Sequence, residues 1–176
     1  FNEVFFTEVR VPDSHRLGDV NQGWTVALTT LMNERASIGA GGGGGSGLGN
    51  VTRLAEMCRY FEVADDPVVR QKLMDVYINF QVSKFNNQRA LDKIKPGQLP
   101  GPDLSTAKLA LTQNLTATAQ FVARVLGPRI CADTGEWGTF AWATFLLGTP
   151  GMRIAGGSDE VLRNIVAERV LGLPKE

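Results

Sequence analysis

Histidine is nearly absent from this chain: there is one in 176 residues, His15. Imidazole is the commonest transition-metal ligand and the usual base beside a nucleophilic serine, so its scarcity removes most zinc and triad chemistry. It also excludes a di-iron bundle, which needs paired Glu-x-x-His motifs. His15 itself reads as an exposed linker residue. Cysteine is scarce as well. Cys58 and Cys131 cannot build a disulfide framework, and no signal-peptide pattern opens the chain, so a reducing cytoplasm is expected. Neither sign of charge is in excess, with 18 Lys and Arg against 18 Asp and Glu. A neutral chain has no global field to hold nucleic acid or an anionic membrane surface. No apolar run approaches the roughly 20 residues that a membrane-spanning helix requires. What is present is the composition of a folded globular protein, 43% apolar and 20% charged, long enough for one ordinary domain and a scrap of another. Glycine alone is conspicuous, with 20 residues, five of them consecutive from Gly41 to Gly45.

The opening residues, Phe1 to Pro12, interleave β-branched and aromatic side chains with polar ones and read as a strand. A lone strand cannot satisfy its own backbone, and nothing later resembles a sheet, so residues 1–18 are expected to be the remnant of a missing β domain and its linker. Residues 19–176 then form a helical domain. Trp24, Leu28, Leu31 and Ile38 fall near one face of a first helix ending by Gly39. Whether it survives the glycine run is open, since each glycine costs about 1 kcal/mol against alanine in a helix interior. Helical pattern returns over 48–60. Asp66 and Pro67 supply an N-cap and a proline at the first helical position of a long amphipathic helix, with Val69, Leu73, Val76 and Phe80 inward. Lys95-Pro96-Gly97 stops it. A third long helix runs from about Asp103 to Leu126 along a seam of Leu104, Leu111, Leu115, Thr118, Val122 and Val125, and Gly127-Pro128 ends it. The aromatic cluster Trp137, Phe140, Trp142 and Phe145 suggests a short helix before Gly148-Thr149-Pro150-Gly151. Ser158 caps a last helix whose first turn carries Asp159 and Glu160. The expected fold is all-α: an antiparallel, up-down-up-down four-helix bundle with an N-terminal strand remnant.

Few residues could carry chemistry. The polyglycine run matches a phosphate-binding G-x-G-x-x-G trivially, but it follows a helix instead of a strand and lacks a lysine; bare backbone also simply permits close approach of another helix or a flat cofactor. Glu34 lies within the first helical pattern, where a charge is unusual unless solvated, paired or functional. Arg35 beside it offers a surface ion pair as the alternative.

The stretch Ile154-Ala155-Gly156-Gly157-Ser158-Asp159-Glu160-Val161-Leu162-Arg163-Asn164-Ile165, continuing to Gly172-Leu173-Pro174, resembles the C-terminal signature of bacterial-type acyl-CoA dehydrogenases. Phe5 to Pro12 resembles the last strand of that family's middle β domain. The resemblance implies the C-terminal α-bundle of a flavoprotein that desaturates an acyl-CoA thioester, with a carboxylate removing the α-proton and FAD receiving the β-hydrogen. Most members keep the base where this chain has Gly156. Isovaleryl-type and long-chain-type members place it on the first helix of the bundle, in a Leu-x-x-Glu-Arg context that Leu31-Met32-Asn33-Glu34-Arg35 matches. The resemblance thus implies Glu34 as catalytic base and Arg35 as a substrate-binding residue.

Other motifs of the family are eroded. Arg59-Tyr60-Phe61-Glu62-Val63 lacks the glycine of Arg-x-x-Phe-Gly, and Arg124-Val125-Leu126-Gly127-Pro128 replaces Gln-x-x-Gly-Gly. Gly127 still matches, and Arg124 could meet a pyrophosphate by charge. Ser158 and Glu160 stand where the family's turn meets flavin. The implied partners are acyl-CoA, electron-transfer flavoprotein or a similar acceptor, and further subunits in a homo- or hetero-oligomeric dimer or tetramer. The eroded motifs leave a second reading, a non-catalytic structural bundle or partner subunit of a heteromeric dehydrogenase.

Overall fold

The computed structural model describes residues 3–39, 50–93, 101–102 and 104–175, with residues 35–39 described as backbone only. The polyglycine run and the Lys95-Pro96-Gly97 stop lie outside the described residues.

Among the described residues all regular structure is helical: α1 (Gly23–Gly39), α2 (Val51–Tyr60), α3 (Pro67–Asp92), α4 (Leu104–Leu126), α5 (Thr139–Met152) and α6 (Asp159–Ile165). A 3-10 turn at Gly127–Cys131 follows α4, and a π-helical turn at Val166–Val170 prolongs α6. The all-α expectation holds, with six α-helices among the described residues. The expected N-terminal strand is not formed: residues 3–12 are exposed and carry no strand pairing among the described residues. Alternation of β-branched and aromatic residues makes a strand only against a partner that accepts its hydrogen bonds.

The caps act as their chemistry dictates. Asp66 Oδ1 accepts from the amides of Val68 (2.7 Å) and Val69 (3.1 Å), with Pro67 at the first turn of α3. Asn50 caps α2 through Thr52 N. Gly127 adopts a φ of +54° directly after α4, the left-handed geometry that closes a helix and that a side chain would strain.

The central helix is α4, which packs against α1, α3, α5 and α6. Leu54, Met57 and Cys58 of α2, Val69 and Val76 of α3, Phe121, Val122, Val125 and Leu126 of α4 and Trp142 of α5 share one buried cluster. Residues of α3 and α4 pair in opposite order, Ala90 with Leu104 and Ala107, and Ser83 with Asn114 at 2.8 Å, so these two helices run antiparallel. Burial pushes the Cys58 thiol pKa up, while Cys131 is exposed; both are free thiols. The inward face predicted for α1 is largely open: Trp24 is 75% exposed and Leu28 and Leu31 more than 40%.

The sequence reading also placed a break at Gly148-Thr149-Pro150-Gly151, yet α5 continues through it to Met152. Pro150 has no N–H for the carbonyl of Leu146. The hydroxyl of Thr149 donates to that carbonyl instead, at 2.9 Å. The orphaned acceptor is satisfied one residue early, and the helix survives its proline.

Candidate active-site turn

The segment between α5 and α6 is where the family-like signature falls. Its backbone is unusual, with Gly156 at φ +67° and Gly157 at φ +101°, conformations that favour glycine. Ser158 then caps α6, its Oγ accepting from Val161 N at 3.4 Å. The carboxyl of Glu160 is held below its usual pKa range by its own backbone amide and by the Ser158 hydroxyl. Glu160 is exposed, with Arg163 3.8 Å away.

Beneath this turn lie two buried charges, Lys108 of α4 and Asp159 at the start of α6. Lys108 is fully buried, although it is an ammonium, and its Nζ donates to Gly157 O at 2.8 Å and Arg153 O at 3.4 Å. Asp159 is 1% exposed. Its Oδ2 accepts from Arg153 Nε at 2.7 Å and its Oδ1 from Thr112 Oγ1 at 3.1 Å. Burial alone pushes the Asp159 pKa up, but these two hydrogen bonds and the charges of Arg153 and Lys108 outweigh it and hold the carboxyl below its ordinary value. For Lys108 desolvation dominates and pushes the pKa down; Asp159 opposes that shift and Arg153 adds to it. Neither Lys108 nor Thr112 featured among the sequence candidates. The signal was available: Lys108 is four residues from Leu104 and three from Leu111, on the predicted buried seam, where an unpaired lysine is not tolerated.

The sequence candidates do not converge on one described cluster. Glu34 is exposed on α1, and the side chain of Arg35 lies outside the described residues. Met32, two residues before Glu34, shares a small recess with Leu104 and Ser105 of α4 and with Ile165 and Arg169 beyond the turn. Arg124 is exposed in a cleft of about 490 Å³ between α3 and α4, with Lys72, Asp75, Asn79 and Gln120 on its walls. Lys72 is paired with Asp75 at 3.1 Å, whereas Arg124 makes no ion pair among the described residues. Gly127 lies at the C-terminal end of α4, and Ser158 and Glu160 lie on the turn. His15 is exposed, and no described helix is long and apolar enough to cross a membrane.

The family model described as acyl-CoA dehydrogenase, C-terminal domain, matches residues 21–171. The acyl-CoA dehydrogenase IpdE1 of Mycobacterium tuberculosis (strain ATCC 25618 / H37Rv) is 33% identical over 177 residues, which is 100% of this chain and 45% of the relative. The acyl-CoA dehydrogenase FadE34 of the same organism is 32% identical, over 99% of this chain and 23% of its own length. Among solved structures, the Tcur3481-Tcur3483 steroid ACAD superposes with a TM-score of 0.76 at 25% identity, over 98% of this chain and 45% of its own. A variant of that protein gives 0.80 at 26% identity, over 98% and 46%. The chain therefore spans under half the length of the relatives it matches. A helical fold shared over nearly its whole length, and a family model that covers residues 21–171, together establish that this chain belongs to the acyl-CoA dehydrogenase family, in the part that forms its C-terminal domain.

Proposed function

We propose that the chain is the C-terminal helical domain of an FAD-dependent dehydrogenase that introduces an α,β double bond into a steroid-derived acyl-CoA thioester. The observation that carries this reading is the backbone likeness over 98% of the chain to a protein described as a steroid ACAD. That likeness favours a polycyclic acyl group over a short linear one. The residues present suit part of a flavin dinucleotide. Exposed Arg124, in a cleft that Lys72, Asn79 and Gln120 also line, offers a cation and amides to a pyrophosphate. Glu160, held charged on the open side of the turn, can accept from N–H or O–H donors of the same group. Bound FAD would supply the acceptor for the substrate's β-hydrogen.

Glu34 is assigned the α-proton. A carboxylate becomes an effective base for so weak an acid when water is withdrawn from it, which raises its pKa toward the working pH. Glu34 is exposed on this chain, so acyl substrate and the rest of the protein would have to provide that dry environment. Arg35 would act beside it on the substrate. With FAD bound, electrons would pass on to electron-transfer flavoprotein or a similar acceptor, within a dimeric or tetrameric assembly in the cytoplasm.

One observation favours a second reading, in which the chain belongs to a non-catalytic partner subunit: Gly156, at the position where most members keep the base, bears no side chain. The visible spectrum of the full-length protein decides between them. An oxidised flavin band that bleaches on addition of acyl-CoA supports the dehydrogenase, and a colourless protein supports the partner subunit.

A further inference from the structure

The turn between α5 and α6 is pinned on one side and open on the other. On the open side Ile154 is 57% exposed and Ala155 and Glu160 are exposed too. On the pinned side stands Lys108. The α5 end closes with Ile154 N and Ala155 N bonded to Gly151 O, and α6 opens with Leu162 N bonded to Ser158 O. Between these two sets of local bonds, Lys108 reaches in from α4 and ties the carbonyls of Arg153 and Gly157 to one ammonium. The two carbonyls bracket Gly156, so one side chain spans the left-handed pair. Thr112, one turn further along α4, holds Asp159 just beyond it, and Arg153 closes the loop onto the same carboxylate.

A buried ammonium is a costly way to fill space. Packing alone would be served as well or better by a hydrophobic side chain of similar volume. What such a side chain cannot do is bond two carbonyls of a turn whose glycines could otherwise adopt many conformations.

We propose that Lys108 is a positioning residue of the holoenzyme: by holding the Arg153 and Gly157 carbonyls it fixes the Gly156–Gly157 turn, and thereby the geometry in which Ser158 and Glu160 meet the flavin. The flavin part of this proposal rests on the dehydrogenase reading above. Lys108 touches neither substrate nor cofactor; it acts through the turn.

The test uses the whole protein, with Lys108→Met, Lys108→Arg and Thr112→Val, and with FAD itself as the probe. Two quantities are read: the FAD dissociation constant with its visible spectrum, and amide exchange of residues 154–158 by mass spectrometry. Lys108→Met is expected to weaken FAD at least about 10-fold and to speed exchange across 154–158, while exchange in α2 and α3 stays as in the parent, since small misplacements of a contact surface carry effects of this order. Lys108→Arg should recover part of both. Thr112→Val, which deletes one hydroxyl with little change of volume, covers the case in which Lys108→Met does not fold, with about a 3-fold loss expected by the same reasoning. Parent-like FAD affinity and spectrum in a folded Lys108→Met, or in Thr112→Val if the former does not fold, would overturn the proposal, whatever happens to the melting temperature. A parent protein that binds no FAD defeats the dehydrogenase reading; exchange at 154–158 then still reports whether Lys108 pins the turn, and unchanged exchange overturns that as well.

Discussion

Arg153 and Asp159 face one another across the α5–α6 turn at 2.7 Å, the guanidinium side chain 46% exposed and the carboxylate side chain 2% exposed. The asymmetry matters for acid stability. Because the folded-state pKa of Asp159 is depressed, its contribution is fully present above the unfolded value of about 3.9 and is lost as pH falls through the folded one. Asp159→Asn should therefore flatten the fall in stability below about pH 5, leaving a residual slope from Glu160, whose carboxyl is also lowered. At neutral pH the same substitution should cost about 2–3 kcal/mol, below the usual range for a broken buried pair because Arg153 regains water. Urea melts of both proteins from pH 3 to 7 read both effects; parallel profiles would refute the linkage.

Glu34→Gln in the full-length protein keeps shape and hydrogen-bonding capacity while removing the proposed base. Flavin reduction by acyl-CoA should slow by at least about 10²-fold, with flavin binding and melting temperature nearly unchanged. If Glu34 is only a surface charge, rates stay at the parent level and stability moves by under about 1 kcal/mol. Moving the carboxylate to Gly156 in that background is a demanding rescue, since φ +67° at Gly156 costs a non-glycine residue about 1–2 kcal/mol.

Expressed alone, residues 1–176 should bind FAD weakly or not at all and show no dehydrogenase activity, because the proposed contacts Arg124, Gly127, Ser158 and Glu160 would make up only part of a dinucleotide site. Submicromolar binding in a fluorescence titration of this piece would show that the cofactor site lies elsewhere.

Amides of residues 3–11 should exchange rapidly in the isolated chain, for they are exposed and carry no strand pairing among the described residues. Strong protection in a demonstrated monomer would contradict this.

Where local chemistry decides the outcome, the fold was legible from the residues. Asp66-Pro67 started α3, Ser158 started α6 and Gly127 ended α4, each through a cap whose atoms are specified within a few residues. Val69, Val76, Thr118, Val122 and Val125 fell on buried faces because period and burial coincide there. One failure is local, the break expected at Gly148-Thr149-Pro150-Gly151, which the Thr149 hydroxyl on Leu146 O removes; the others are non-local. Residues 3–12 have strand composition, but pairing depends on a neighbour. Trp24, Leu28 and Leu31 share a face that the described helices leave open. Lys108 and Thr112 are not legible from local sequence because the partners that satisfy them stand more than forty residues away.

The bond from Thr149 to Leu146 should matter only in the presence of Pro150. Thr149→Val is expected to cost about 1–3 kcal/mol, since it bares the Leu146 carbonyl, and much less in a Pro150→Ala background, where a backbone amide takes over. Thermal melts of the two single variants and the double variant close the cycle; equal costs in both backgrounds would show the hydroxyl to be incidental.

That dependence would make the order in which the two residues are introduced matter. A proline arriving in α5 before the hydroxyl would have met a helix with a bare acceptor, whereas a threonine arriving first would have been nearly silent. The two positions are thus conditionally coupled: with Pro150 in place, loss of the Thr149 hydroxyl is expected to be harmful, and without the proline nearly silent.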